Sequence, residues 1–147
     1  MYLFIVVLIY EDVVHKISFG PYEAFFQAHP PLELVGALCA VLGVAFAVWA
    51  RVYLASNWGM PMTLRENPKL VTTGPYRYVR HPIYTGVILA LFGSTVVSGT
   101  WWALIFIASV FYFTVSAFQE ERDLVEKFPD TYPAYKARTK MLIPFVL

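Results

Sequence analysis

IYTGVILALFGSTVVSGTWWALIFIASVFYFTVSAF, running from Ile83 to Phe118, is a stretch of 36 residues without one charged side chain. The hydrocarbon core of a bilayer is crossed by about 20 apolar residues in helical form. The stretch is therefore too long for one crossing and suits two. Ser98-Gly99-Thr100 falls near its middle and supplies turn residues. It divides the run into Ile83–Val97 and Trp101–Phe118 and predicts a helical hairpin, with Trp101 and Trp102 at the far interface, where amphipathic rings are favoured.

Working outward, Leu34 to Ala50 is also uncharged, and with Leu32, Val52, Tyr53 and Leu54 it reaches the length of another span. Met1 to Tyr10 is apolar but is followed at once by Glu11 and Asp12, which makes it half a span unless the helix carries those acids inward. No basic residue precedes it and no small-residue cleavage site follows, so it reads as part of the mature fold rather than as a signal peptide. Composition agrees with a lipid-solvated chain. Of 147 residues, 59% are hydrophobic, 18% aromatic and only 14% charged, far from the usual mix of a soluble domain. The reading is an all-α integral membrane fold of about four transmembrane helices, in a single domain over residues 1–147. Residues 1–54 form the amino-terminal helices, and residues 55–147 carry the functional part.

Eleven Lys and Arg against ten Asp and Glu give a net charge of +1, which offers no global field for nucleic acid. The basic residues are instead distributed by side. Lys16 stands alone between the first two apolar segments. Arg51, Arg65, Lys69, Arg77 and Arg80 lie in the connection before Ile83, and Arg122, Lys127, Lys136, Arg138 and Lys140 lie after Phe118. Lys and Arg resist translocation, so both clusters are expected on the cytosolic face, in a prokaryotic inner membrane. The single Cys39 excludes an intrachain disulfide and a cysteine-based zinc site. No metal-ligand set, phosphate-binding glycine loop or serine-centred triad is present.

The connection from Asn57 to Pro82 contains Pro61, Pro68, Pro75 and Pro82. Each removes a backbone donor and biases its predecessor to extended geometry, which predicts an irregular segment at the membrane surface. Such backbone is tolerated there when it is covered by protein or lines a watery cavity. At 1.5 Å per helical residue, His81 lies about 27 Å and Glu120 about 31 Å from Gly99. Arg80, His81, Tyr84, Glu120 and Glu121 should therefore share one cytosolic pocket. Plainer readings stand beside this one: Arg77 and Arg80 as positive-inside anchors, His81 as an interfacial ring, Glu120 to Asp123 as a solvated helix end. Acids at a helix carboxyl end oppose its dipole, so a compensating cation is expected, either Arg138 or a cationic ligand.

Residues 70–86, Leu-Val-Thr-Thr-Gly-Pro-Tyr-Arg-Tyr-Val-Arg-His-Pro-Ile-Tyr-Thr-Gly, resemble the signature of the isoprenylcysteine carboxyl methyltransferase family and its phospholipid methyltransferase relatives. That pattern is Arg-His-Pro-x-Tyr-x-Gly, a helical hairpin, then a Glu-Glu pair, here Glu120-Glu121. Leu124, Phe128, Tyr132, Tyr135, Arg138 and the closing Leu142-Ile143-Pro144-Phe145 fall at the family's places. The match covers Asn57 to Phe145. Pro129 replaces a frequent Gly, and Ser56 stands where a basic residue is usual, close to where acceptor preference is set.

The resemblance implies S-adenosylmethionine as cofactor, held by Tyr76, His81, Tyr84, Gly86, Glu120 and Glu121, with Gly86 allowing close approach. It implies a lipophilic or prenylated acceptor reaching the site among membrane lipids. Methyl transfer to a carboxylate needs no general base, because the acceptor is already ionised at neutral pH. Orientation and exclusion of water then contribute up to about 7–11 kcal/mol. Arg80 and Arg138 are the candidates to grip the acceptor carboxylate, since planar guanidinium donors bind it bidentately, and Glu121 completes the catalytic set. N-methylation of a phospholipid amine is the sister reading. An NADPH-dependent membrane reductase and a non-catalytic membrane scaffold are the alternatives from other classes.

Overall fold

The computed structural model describes residues 29–54, 70–98 and 100–143. The expected span at Met1–Tyr10, the connection through residue 69, Gly99 of the expected turn, and Pro144-Phe145 lie outside the described residues. Four helices follow in order: α1 (Pro30–Leu54), α2 (Pro82–Ser98), α3 (Thr100–Lys127) and the short α4 (Tyr132–Arg138). A 3₁₀ turn at Gly74–Arg77 precedes α2. No strand ladder occurs among the described residues, only an isolated parallel bridge between Val79 and Lys140.

Local chemistry explains the boundaries. Pro30 opens α1 and Pro82 opens α2, in the first turn where a missing N–H leaves no bond unmade. Glu33 at the start and Arg51 at the end of α1 complement its dipole. The third helix does not stop where the apolar run stops. It continues to Lys127 and ends only where Pro129 forbids another turn. Glu120 and Glu121 are consequently two turns inside α3, not at its end, and the dipole penalty expected for them does not arise, because that field is confined to the last turn.

The α1·α2 interface is built from absent side chains. Gly36 and Gly43 on α1 face Gly93 and Gly86 on α2, each pair seven residues apart, and all four are buried. A Cβ on Gly86 would stand 2.6 Å from Ala47 N and Gly43 O, and one on Gly36 would stand 2.7 Å from Val96 Cγ1. The backbones themselves are therefore in contact. Lipid gives apolar side chains no reason to hide, so close helix approach through small residues carries association instead. The outer surface matches: Leu34, Val41, Val52 and Phe111 are among many large apolar side chains left exposed. Helices α1 and α3 are long and apolar enough to cross a membrane, while α2, at 17 residues, is a shorter apolar helix. The chain is a helical membrane protein.

Tyr84, early in α2, meets Phe113, midway along α3, and Phe92 meets Phe106 nearer the start of α3. The contacts thus ascend α2 as they descend α3 and leave the start of α2 beside the second half of α3, where Glu120 lies. Residues 139–142 then fold back as a strap beside the start of α2. Arg80 N donates to Lys140 O (2.8 Å) and His81 N to Met141 O (3.1 Å). The Thr85 hydroxyl sits 2.6 Å from Leu142 O.

Candidate active site

Three segments converge at one end of the helices: the approach to α2, the polar portion of α3, and α4 with its strap. Gly74, at φ +59°, lets the chain turn tightly beneath the Tyr53 ring, which a Cβ would strike. The turn delivers Tyr76 to a buried position, where its carbonyl accepts a 2.7 Å bond from the Tyr135 hydroxyl. Burial raises the phenol pKa of both, that of Tyr135 to about 12. Both therefore remain protonated donors.

Glu121 is the buried centre of the cluster. Its Oε1 lies 2.6 Å from Arg80 Nε, its Oε2 lies 2.6 Å from Lys136 Nζ, and its side chain is 3% exposed. Arg80 also donates through Nη1 to the carbonyls of Thr139 and Lys136, tying α3 to the strap. Glu120 differs: half its side chain is exposed, and it accepts from the Tyr84 hydroxyl. His81 is buried between the two acids, with Nδ1 3.4 Å from Glu120 Oε2 and Nε2 3.6 Å from Glu121 Oε1. The second distance is beyond hydrogen-bond reach, and Nε2 has no hydrogen-bond partner among the described residues. The ring lies flat against Tyr84, centroids 5.5 Å apart. Burial disfavours the His81 cation, but the pairing with Glu120 and the charges of both acids outweigh it and raise its pKa above 6.5.

Arg80, His81, Tyr84, Glu120 and Glu121 do meet at one place, and Tyr76 is buried close enough for the Glu120 charge to act on it. Two expected members stand elsewhere. The open face of Gly86 is turned to the α1 backbone, so its lack of a side chain is required by helix packing. Arg138 is exposed, with its guanidinium over the Tyr135 ring at 6.0 Å. The compensation expected from it comes from Arg80 and Lys136. Lys136 carried no sequence signal, because only the strap and α4 bring it to Glu121. Thr85, within the motif, bonds the strap, and Tyr132, at its family place, packs beneath the cluster. Tyr132 is fully buried, and its hydroxyl has no hydrogen-bond partner among the described residues.

A buried, cation-neutralised carboxylate thus stands beside an open one at the polar end of apolar helices. The family model described as phospholipid methyltransferase matches residues 32–131, and the chain belongs to that family. Among curated relatives, methanethiol S-methyltransferase 1 of Bradyrhizobium diazoefficiens is 42% identical over 79 residues, covering 53% of this chain and 27% of that protein. The protein-S-isoprenylcysteine O-methyltransferase of Schizosaccharomyces pombe is 33% identical over 116 residues, covering 76% of this chain and 48% of that protein. The chain thus spans between a quarter and a half of the length of these relatives. The solved structure of the eukaryotic intramembrane Ras methyltransferase ICMT (isoprenylcysteine carboxyl methyltransferase) shares the fold. Its TM-score is 0.69 at 21% identity, over 92% of this chain and 52% of that one.

Proposed function

We propose that the chain is an S-adenosylmethionine-dependent methyltransferase acting on a lipid-embedded acceptor, the carboxylate of an isoprenylcysteine-like molecule. The observation that carries this reading is the unequal carboxylate pair. Glu121 has both oxygens on cations, whereas Glu120 keeps an exposed carboxylate with the Tyr84 and His81 rings beside it. Such a set fits a cofactor bearing an ammonium and a sulfonium, cations that an open carboxylate attracts. When bound, the cofactor supplies an electrophilic methyl group on a positively charged sulfur.

The protein's own residues then bind and orient. Glu120 attracts the cation, Tyr84 and His81 hold its carboxylate in place, and Tyr76 lines the pocket. Arg80 and Glu121 act behind them as positioning residues, because their polar atoms are engaged with each other, Lys136 and the strap. No side chain needs to remove a proton from a carboxylate acceptor. A second reading, transfer to a small thiol, draws on a specific observation: Arg80 is engaged with Glu121 and two carbonyls and Arg138 stands over Tyr135, so the two arginines expected to grip a carboxylate do not form a clamp. The relative named for methanethiol points the same way.

In this reading α2 and α3 form a hairpin, the amino-terminal segment adds a fourth span, and the domain is one unit. The basic clusters set the site on the cytosolic face of a prokaryotic inner membrane. The test is calorimetry of the protein in nanodiscs with S-adenosylmethionine and with NADPH, followed by labelled-methyl transfer to prenylcysteine analogues, methanethiol and phosphatidylethanolamine. Micromolar binding of the first cofactor alone, lost in Glu120→Ala, is expected. Absence of binding to the wild type would sink the proposal.

A further inference from the structure

An acceptor that attacks as an anion must bring its negative charge past the open carboxylate of Glu120, and a cation has to hold it there. Among the described residues, the basic side chains around the cluster divide sharply. Arg80 is 9% exposed, with Nε on Glu121 and Nη1 on two carbonyls. Arg138 stands over the Tyr135 ring. Lys136 touches the cluster, 2.6 Å from Glu121 Oε2, while its side chain is 47% exposed. Its backbone is fixed, since its carbonyl accepts from Arg80 and α4 is anchored through the Tyr135 hydroxyl. Its four-carbon stem leaves the ammonium free to rotate. Glu121 does not depend on it for neutralisation, because Arg80 remains on the other oxygen.

We propose that Lys136 is the acceptor-recognition residue, its ammonium swinging from Glu121 to the anionic head, carboxylate or thiolate, of the incoming acceptor. The inference rests on the methyltransferase reading above. As the acceptor's oxygen or sulfur bonds to the methyl carbon, the bond from that carbon to the cofactor sulfur breaks and its electron pair stays on that sulfur. Anion and sulfonium become neutral together; a carboxylate is already ionised and no proton moves, whereas a thiol has given its proton to water before it attacks as the thiolate. Lys136, left without its anion, returns to Glu121 and the uncharged product is no longer held.

Lys136→Gln and Lys136→Arg would be compared with wild type in two measurements: the cofactor Kd by calorimetry, and KM and kcat with prenylcysteine carboxylate, methanethiol and phosphatidylethanolamine as separate acceptors. Loss of a charge-assisted contact predicts a KM for the anionic acceptor raised about tenfold or more in Lys136→Gln. Cofactor Kd should stay within about threefold, as that residue's partner Glu121 keeps Arg80, and Lys136→Arg should recover most of the loss. The carboxylate and thiol arms tell which anion is used. Unchanged KM, a matching loss of cofactor affinity, or a wild type that methylates only the amine would each overturn the inference alone. Wild type that binds no cofactor would overturn the methyltransferase reading and this inference with it.

Discussion

Glu120 and Glu121 are chemically identical neighbours that should respond in opposite ways to the same substitution. Glu121→Gln removes the charge that neutralises Arg80 and Lys136 in a setting where the carboxylate is 3% and the guanidinium 9% exposed. Breaking one side of a buried ion pair costs about 3–5 kcal/mol, because the remaining charge is left uncompensated. For a chain of this length that corresponds to a fall in Tm of about 6–20 °C. Glu120→Gln acts on a side chain that is half exposed, where ion pairs contribute about 0–1 kcal/mol, so Tm should move by no more than a few degrees. Cofactor affinity should reverse the order relative to stability: Glu120→Gln stays folded and loses binding, whereas Glu121→Gln loses stability first. Thermal unfolding in detergent and calorimetry on the same preparations read both quantities. Equal Tm losses in the two variants, or a Glu121→Gln protein as stable as wild type, would refute the assignment of one acid to structure and the other to ligand.

Two further outcomes follow from the geometry. Gly86→Ala sets a methyl group 2.6 Å from backbone atoms of α1, which no side-chain rotation relieves. A loss of about 1–3 kcal/mol or more is expected, read as a lowered Tm, and an unchanged Tm would contradict backbone contact between α1 and α2. His81 has a raised pKa, so the stability gained from its pairing with the two acids is complete below its ordinary value of 6.5 and fades as pH rises through the folded-state value. The Tm difference between wild type and His81→Gln should therefore be largest below the ring's ordinary pKa of 6.5 and shrink as the pH rises above it. A difference independent of pH would show that the ring acts by packing alone.

The apolar run Ile83–Phe118 was enough to locate α2 and α3, and rise per residue was enough to bring His81 beside Glu120, because helical geometry converts sequence separation directly into height. The same run misplaced the end of α3. Gln119 to Lys127 are mostly good helix formers with no breaker before Pro129, so propensity carried the helix beyond its apolar part. The paired glycines Gly36 and Gly43, Gly86 and Gly93 were visible at seven-residue spacing, yet Gly86 inside a ligand motif drew attention away from the helix interface. Lys136 was beyond reach of pattern reading: its partner is fifteen residues earlier on another helix, and a lone lysine in a polar tail has no periodicity to betray it.

The strap sets the order in which the molecule can be completed. Arg80 and Thr139 are 59 residues apart in sequence, and both helices that frame the site lie between them. During synthesis α1, α2 and the apolar part of α3 can enter the bilayer before the residues that fix Arg80 and His81 have been made. Closing such a loop adds an entropic cost that insertion does not offset. A nascent chain halted before Thr139 would hold its apolar helices already and its polar cluster not yet. In refolding, helical signal should return before the capacity to capture ligand.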